Sequence, residues 1–308
     1  MFQGIRFVPD DTKIPFMRYS RFGFFLSAFL CVSALLVFLI DGLNYGIDFK
    51  GGTLIEVRTH GGITIGDLRG RISGLELGEA ELQEFGAPDN ILIRLETQPG
   101  GDAAQTAAVS KATQALGKDV EIRRVELVGP KVSAELTQEG TIAVVLAIIM
   151  VLIYIWFRFE WQFGLGAVAS LLHDVIITIG VLSILRIEFN LNIIAAILTI
   201  IGYSLNDTVV IYDRIREYLR KFKKMRYVDL IDGALNSTLA RTVITGTSTL
   251  IALLALYVFG GEVIRGFTFT MIFGILIGTY SSVFVAAPVL IILGSVRETK
   301  AEAQKARP

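Results

Sequence analysis

Residues Thr141–Phe157 read TIAVVLAIIMVLIYIWF, a run without a single charged group. At ~1.5 Å per helical residue such a run covers ~25 Å, close to the ~30 Å hydrocarbon core of a bilayer. Four more uncharged runs stand on either side of it: Phe22 to Ile40, Phe189 to Asn206, Thr242 to Gly261 and Gly266 to Val296. A sixth, Phe163 to Leu185, is apolar apart from His173 and Asp174. Hydrophobic residues make up 53% of the 308 and charged ones 19%, below the ~25% charge of soluble domains. The pattern predicts a polytopic α-helical membrane protein with six transmembrane helices.

Charge sets the expected topology. Residues 1–21 carry Lys13, Arg18 and Arg21 before the first span, residues 22–40. That span is longer than a ~7–15-residue signal core, and no A-x-A site follows, so it reads as an uncleaved anchor. A cytoplasmic amino end places Arg158, the basic loop 213–240 and the tail 297–308 in the cytoplasm, as the positive-inside rule favours. Between Arg214 and Arg226 seven Lys/Arg face one acid, Glu217. This run reads as a topology determinant near anionic lipid, with RNA or ribosome contact as the weaker alternative. Residues 41–140 then lie outside, with ten Lys/Arg against sixteen Asp/Glu, and residues 141–296 hold spans two to six.

The outer segment has a legible pattern. Thr53–Thr59 alternates as a strand, Thr64–Ile72 reads as a helix, and Glu81–Phe85 and Ile91–Leu95 are strands about a turn at Ala87–Asn90. Asp102 is placed to cap a helix through Leu116, and Val120–Val128 closes as a strand. The order β-α-β-β-α-β is that of an α+β, ferredoxin-like domain.

Several chemistries are excluded. No G-x-x-x-x-G-K-[ST] occurs, so there is no Walker-type ATPase site. Gly164-Leu-Gly166-Ala-Val-Ala169 lies inside a span and follows no strand, so its small residues, like Gly274 and Gly278, read as points of close helix approach. One cysteine, Cys31, and two histidines make neither a disulfide nor an ordinary zinc site. No Ser/His/Asp or Cys/His set is visible. The expectation is a protein that is not an enzyme, has no cofactor or metal, and draws on an ion gradient or a partner for energy.

Ionisable groups inside spans are expensive and mark candidate sites. Asp207 lies in the fourth span, with Tyr203 one turn earlier on the same face. If that span ends near Tyr212, Asp207 sits ~8 Å from the cytoplasmic edge, and an interfacial carboxylate paired with Arg214 is the alternative. His173 and Asp174 lie ~15 Å into the third span. They project ~100° apart, so they are not expected to pair with each other. They read either as a satisfied polar pair fixing helix packing or as a proton relay. The fifth span opens on a Ser/Thr-rich stretch, Asn236 to Thr249, expected to face protein or a wet cavity. Arg241 at its start is either a counter-charge for a carboxylate such as Asp207 or a positive-inside anchor. Pro288 is placed to kink the last span, and His60 receives no role.

Two segments carry a family likeness. Tyr45-Gly46-Ile-Asp48-Phe-Lys-Gly51-Gly52-Thr53 resembles the signature of the SecD/SecF family of protein-export membrane subunits, relatives of the RND superfamily. Gly202-Tyr-Ser-Leu-Asn206-Asp207-Thr-Val-Val-Ile-Tyr212-Asp213-Arg214-Ile-Arg-Glu217 resembles the fourth-span signature of the family's shorter subunit. His173-Asp174-Val, Asn190-Leu-Asn192 and Asn236-Ser-Thr-Leu-Ala-Arg241-Thr follow in the family's order. Tyr212 and Tyr218 depart from the Phe and Asn of many members. The resemblance, from about Gly42 to Arg297, implies an accessory subunit of the bacterial Sec protein translocase in the inner membrane. It implies pairing with SecD into a twelve-span unit driven by the proton gradient in late preprotein export. It further implies SecYEG, SecA and YajC as partners, unfolded preprotein as cargo, contact with membrane lipids and protons, and no nucleic acid. By motif matching Asp207 and Arg241 correspond to the family's proton-pathway residues, with His173 and Asp174 as further candidates. A small-molecule or lipid exporter subunit of RND type and a passive translocon scaffold are the alternatives.

Overall fold

The computed structural model describes residues 9, 12–60, 62–75, 77–78 and 80–293. The basic tail 297–308 and the start of the amino-terminal segment lie outside the described residues. The chain divides into two units. One takes in the chain up to Leu43, Leu146–Ile187 and the chain from Asn192 on; the other is Asn44–Val145 with Glu188–Leu191.

The second unit starts with a two-residue strand β1 (Asn44–Tyr45), a helical turn α2 (Ile47–Lys50) and strand β2 (Gly52–Thr59). Helix α3 (Ile65–Ser73) follows, then strands β3 (Ala80–Phe85) and β4 (Ala87–Leu95), helix α4 (Gly101–Leu116) and strand β5 (Val120–Val128). The sheet order β3-β4-β2-β5 is antiparallel throughout, the split-βαβ topology. Thr64 caps α3 reciprocally with Asp67, a capping box. The core joins Ile55 and Val57 of β2, Ile91, Ile93 and Leu95 of β4, Leu68 and Ile72 of α3, and Ala108, Ala112 and Leu116 of α4.

Two local expectations are corrected. The β3–β4 turn is not Ala87–Asn90 but the single residue Gly86, at φ 77°. Ala87 already pairs with Phe85, and Asn90 with Arg58. A glycine at positive φ makes the tighter turn available. Helix α4 begins at Gly101 with Gly100 as its N-cap, two residues ahead of the expected Asp102 cap.

The helical unit is built from α1 (Ser20–Asp41), the latter part of α5 (Pro130–Arg158), α6 (Trp161–Ile184), α7 (Leu191–Lys221), α8 (Tyr227–Phe259) and α9 (Arg265–Ser281). The last helix continues through a π turn (Ser282–Ala286) to Leu293. Among the described residues six helices are long and apolar enough to cross a membrane. Half of the spanning window is buried in α6 and in α9, against 6% in α5, so α6, α7 and α9 form the centre and α5 the periphery. The π turn ends two residues before Pro288, whose missing N–H and ring are what a π turn absorbs.

Close approach needs small residues, and the glycines singled out in the sequence supply it. A Cβ on Gly274 would lie 2.2 Å from Ile200, and one on Gly278 3.0 Å from Ser204. At Gly166 it would lie 2.2 Å from the Tyr212 hydroxyl. Tyr212 is fully buried and donates to the Ala286 carbonyl at 3.1 Å, so the phenol is accommodated only because residue 166 has no side chain.

The expected loop 213–240 is also corrected. Helix α7 runs to Lys221 and α8 begins at Tyr227, leaving a short connection. The polar helix ends carry apolar residues on one face: Ile215, Leu230, Ile231, Ala234 and Leu235 are all buried in one core cluster. A helix can therefore outlast its greasy run. Asp232 accepts from the Met17 N–H at 2.8 Å, and Asn236 exchanges two 2.9 Å bonds with the backbone of Ile14.

Candidate functional site

Asp207 falls near the middle of α7, sixteen residues from its start and fourteen from its end. The helix continues past Tyr212 to Lys221 through the charged residues Asp213, Arg214, Arg216 and Glu217. Asp207 does not pair with Arg214, which bonds Glu217 at 2.7 Å. Its partner is on α8: the Thr242 hydroxyl donates to Asp207 Oδ1 at 2.6 Å. The other oxygen, Oδ2, is buried without a hydrogen-bond partner. Tyr203, Asn206, Arg241, Thr245 and Thr279 line the adjoining cavity. It measures about 10 Å³, close to the ~10–15 Å³ that one water requires. Arg241 lines this cavity without forming an ion pair to Asp207 within 4.0 Å.

Asp174, at the centre of α6, is in a different situation. Ser204 of α7 and Ser281 of α9 donate to Oδ2 at 2.6 and 2.8 Å, and His173 Nδ1 meets Oδ1 at 2.9 Å. Ser170 and Ser281 are 2.8 Å apart, and Thr208 and Ser282 extend the polar seam at 2.9 Å. The expectation that His173 and Asp174 do not pair is overturned. Their Cα–Cβ bonds diverge around the helix, but side-chain rotation brings Nδ1 to the neighbouring carboxylate. His173 stacks on Tyr280, and its Nε2 is buried without a partner, so no hydrogen-bonded group receives a proton from it.

The Ser/Thr-rich start of the fifth span mostly satisfies itself. Ser237, Thr238, Ser248 and Thr249 donate to carbonyls three or four residues back. Only Thr242 among them reaches Asp207. Arg241 and Thr245 are exposed on α8.

The motif after the first span organises the start of α7. The Asp48 carboxylate accepts from the Leu191 N–H at 2.9 Å, and Gly46 N–H donates to Phe189 O at 2.8 Å. Strand β1 pairs in parallel with β6 (Glu188–Phe189). A side chain on Gly46 would meet Glu188 at 2.6 Å, and one on Gly52, at φ 109°, would meet the Leu95 carbonyl at 2.3 Å. Arg94 sits between Glu81 and Glu188, at 3.0 and 3.3 Å. Burial raises the Glu188 carboxyl above its ordinary range, and Arg94 opposes this. Asp213 pairs with Arg158 and lies 3.8 Å from Arg216. Among the described residues no His/Cys/Asp/Glu cluster suits a metal ion.

Sequence reasoning found both aspartates and the Ser/Thr-rich stretch that contains Thr242, but it did not single out Thr242 within it and missed Ser204, Ser281 and the Asp48 cap. The available signal was a hydroxyl residue or a glycine at each point where central helices cross.

Residues 108–296 match the model of the protein export membrane protein SecD/SecF C-terminal region, and residues 37–62 match the SecD/SecF GG motif. The chain belongs to the SecD/SecF family. A protein translocase subunit SecF of Magnetococcus marinus is 46% identical over 304 residues, covering 96% of this chain and 98% of the relative. A protein translocase subunit SecDF of Brucella abortus is 43% identical over 96% of this chain but only 39% of its own length. The crystal structure of SecDF, a translocon-associated membrane protein from Thermus thermophilus, superposes with a TM-score of 0.84 at 32% identity. It covers 92% of this chain and 39% of that one. The chain thus spans nearly all of a SecF relative and about two fifths of the longer SecDF proteins. It is a multi-pass membrane protein of the SecD/SecF translocase family, whose full-length relatives are translocase subunits.

Proposed function

We propose that this chain is the SecF-type half of a unit that, with SecD, uses the proton gradient to drive late steps of preprotein export at the bacterial inner membrane. Both termini are cytoplasmic and the α+β unit periplasmic, which leaves Arg158 and the basic Arg214–Arg226 stretch inside. SecYEG, SecA and YajC are the further partners to test.

The observation that carries the reading is Asp207: a mid-helix carboxylate with one donor, one orphan oxygen, a water-sized space and an arginine alongside. Asp207 alternates between a protonated state and an ionised state drawn to Arg241. Moving one charge through ~100 mV supplies about 2.3 kcal/mol, enough to shift a two-state equilibrium about 50-fold. The exposed Arg241 and Thr245 on a spanning helix support a second subunit there, because lipid offers them no partner. Asp174 is the fixed frame around which α7 and α9 pack. The Asp48 carboxylate holds the Leu191 N–H within the unit that bears β1 and β2.

Proton-gradient-dependent export of a Sec substrate in vesicles holding SecD and either the wild-type chain or Asp207→Asn tests this. The expected result is loss of the gradient-driven step with assembly intact. Equal export from both would reduce the chain to a scaffold.

A further inference from the structure

Where α5 and α7 end, the helical unit has a cleft of about 540 Å³ lined by Arg158, Asp213, Arg216, Glu217, Arg220 and Lys221. Four cations meet two carboxylates there. Both carboxylates are already engaged, Asp213 by Arg158 and Arg216, and Glu217 by Arg214. Arg220 and Lys221 have no carboxylate within 4.0 Å among the described residues; Lys221 lies over the Phe222 ring at 5.4 Å. The cleft therefore holds an uncompensated double positive charge.

Exposed aromatics stand at the same end of the helices. Trp156 and Phe157, just before Arg158, are 82% and 85% exposed, and Trp161 at the start of α6 is 63% exposed. Large aromatics of this kind mark the level of lipid headgroups. Ile149, Leu152 and Ile153 of the preceding turns are exposed as well, on the side of α5 turned away from Arg158.

We propose that this cleft is a binding site for an anionic phospholipid. Its phosphodiester lies against Arg220 and Lys221, and its acyl chains enter the bilayer at the level the exposed aromatics mark. A phosphate oxygen suits the Arg fork and the Lys point charge together. A zwitterionic lipid carries its own cation into a cleft that already has two in excess. The site does not depend on the role of Asp207.

The test uses the full chain purified in neutral detergent and offered equimolar dioleoylphosphatidylglycerol and dioleoylphosphatidylcholine, with retained lipid counted by native mass spectrometry. The wild-type chain is expected to retain phosphatidylglycerol preferentially. The double variant Arg220→Gln, Lys221→Gln should lose that preference by about thirty-fold, from the contribution of each basic residue near an anionic lipid. Lys223→Gln, Lys224→Gln removes the same charge from the α7–α8 connection and should leave the preference unchanged, as should the charge-keeping Arg220→Lys, Lys221→Arg. Equal retention of the two lipids, equal loss in the Lys223/Lys224 control, or displacement of bound lipid by inorganic phosphate would each overturn the proposal.

Discussion

Asp174 and Asp207 are the same residue type, each near the middle of a long spanning helix, yet their surroundings differ in kind. Asp174 accepts from two serines on two other helices and from its neighbouring histidine, and it is 1% exposed. Asp207 accepts one bond from Thr242 and leaves an oxygen unpaired beside a space for about one water. A buried carboxylate whose lone pairs are taken is held in place, because every alternative position loses hydrogen bonds. One with an orphan oxygen is not so held, and a small change in its partners changes its state. The first arrangement makes a frame, the second a moving part.

The comparison is broken most directly at the frame. Asp174→Ala strands three donors in the centre of α6, α7 and α9 and should cost about 3–5 kcal/mol. Asp207→Ala removes a single hydrogen bond and should cost about 1 kcal/mol. Thermal aggregation of the purified variants measures both, and equal losses would erase the distinction. Next comes Gly166→Ala, which drives a methyl into the Tyr212 hydroxyl. It should destabilise by about 1–3 kcal/mol, and Tyr212→Phe in the same chain should recover part of the loss. Asp48→Ala removes the acceptor of the Leu191 N–H and should cost about 1 kcal/mol. The loss should register as faster amide exchange confined to the first turn of α7.

Much of this was legible in the sequence. The six spans, the strand order of the α+β unit and both aspartates follow from greasy runs, alternation and the cost of burying charge. The ends of α7 and α8 were not, because amphipathic helix ends contain charges that hydropathy counts as loop. The i, i+1 pairing of His173 with Asp174 was missed because periodicity fixes where Cβ points but not where a rotatable side chain ends. The Asp48 cap joins residues 143 apart in the chain, and single-sequence periodicity carries no information over that distance. Gly86 was passed over because Pro88-Asp89-Asn90 next to it is a stronger composition signal than one glycine.

The smallest expected effect lies outside the spans. Hydrogen bonds from Thr64 hold Asp67 below the usual carboxylate range, and the Arg71 guanidinium does the same for Asp119. With folded values below unfolded ones, these groups contribute stability above the unfolded value that is lost as pH falls through the folded one. Glu188, raised by burial, acts in the opposite sense and weakens the fold as it ionises. The α+β unit should thus lose stability from about pH 4 downward. Asp67→Asn with Asp119→Asn should flatten that acid limb by lowering the neutral plateau towards the acid level, as read by acid titration of the full chain in detergent.

The most direct measurement on the central claim is infrared difference spectroscopy of the chain reconstituted with SecD, following the buried carboxyl band as pH is stepped. The account predicts a titrating carboxyl signal that disappears in Asp207→Asn and persists in Asp174→Asn. A signal unchanged in Asp207→Asn, or lost in Asp174→Asn alone, would contradict it and move the working proton to the other aspartate.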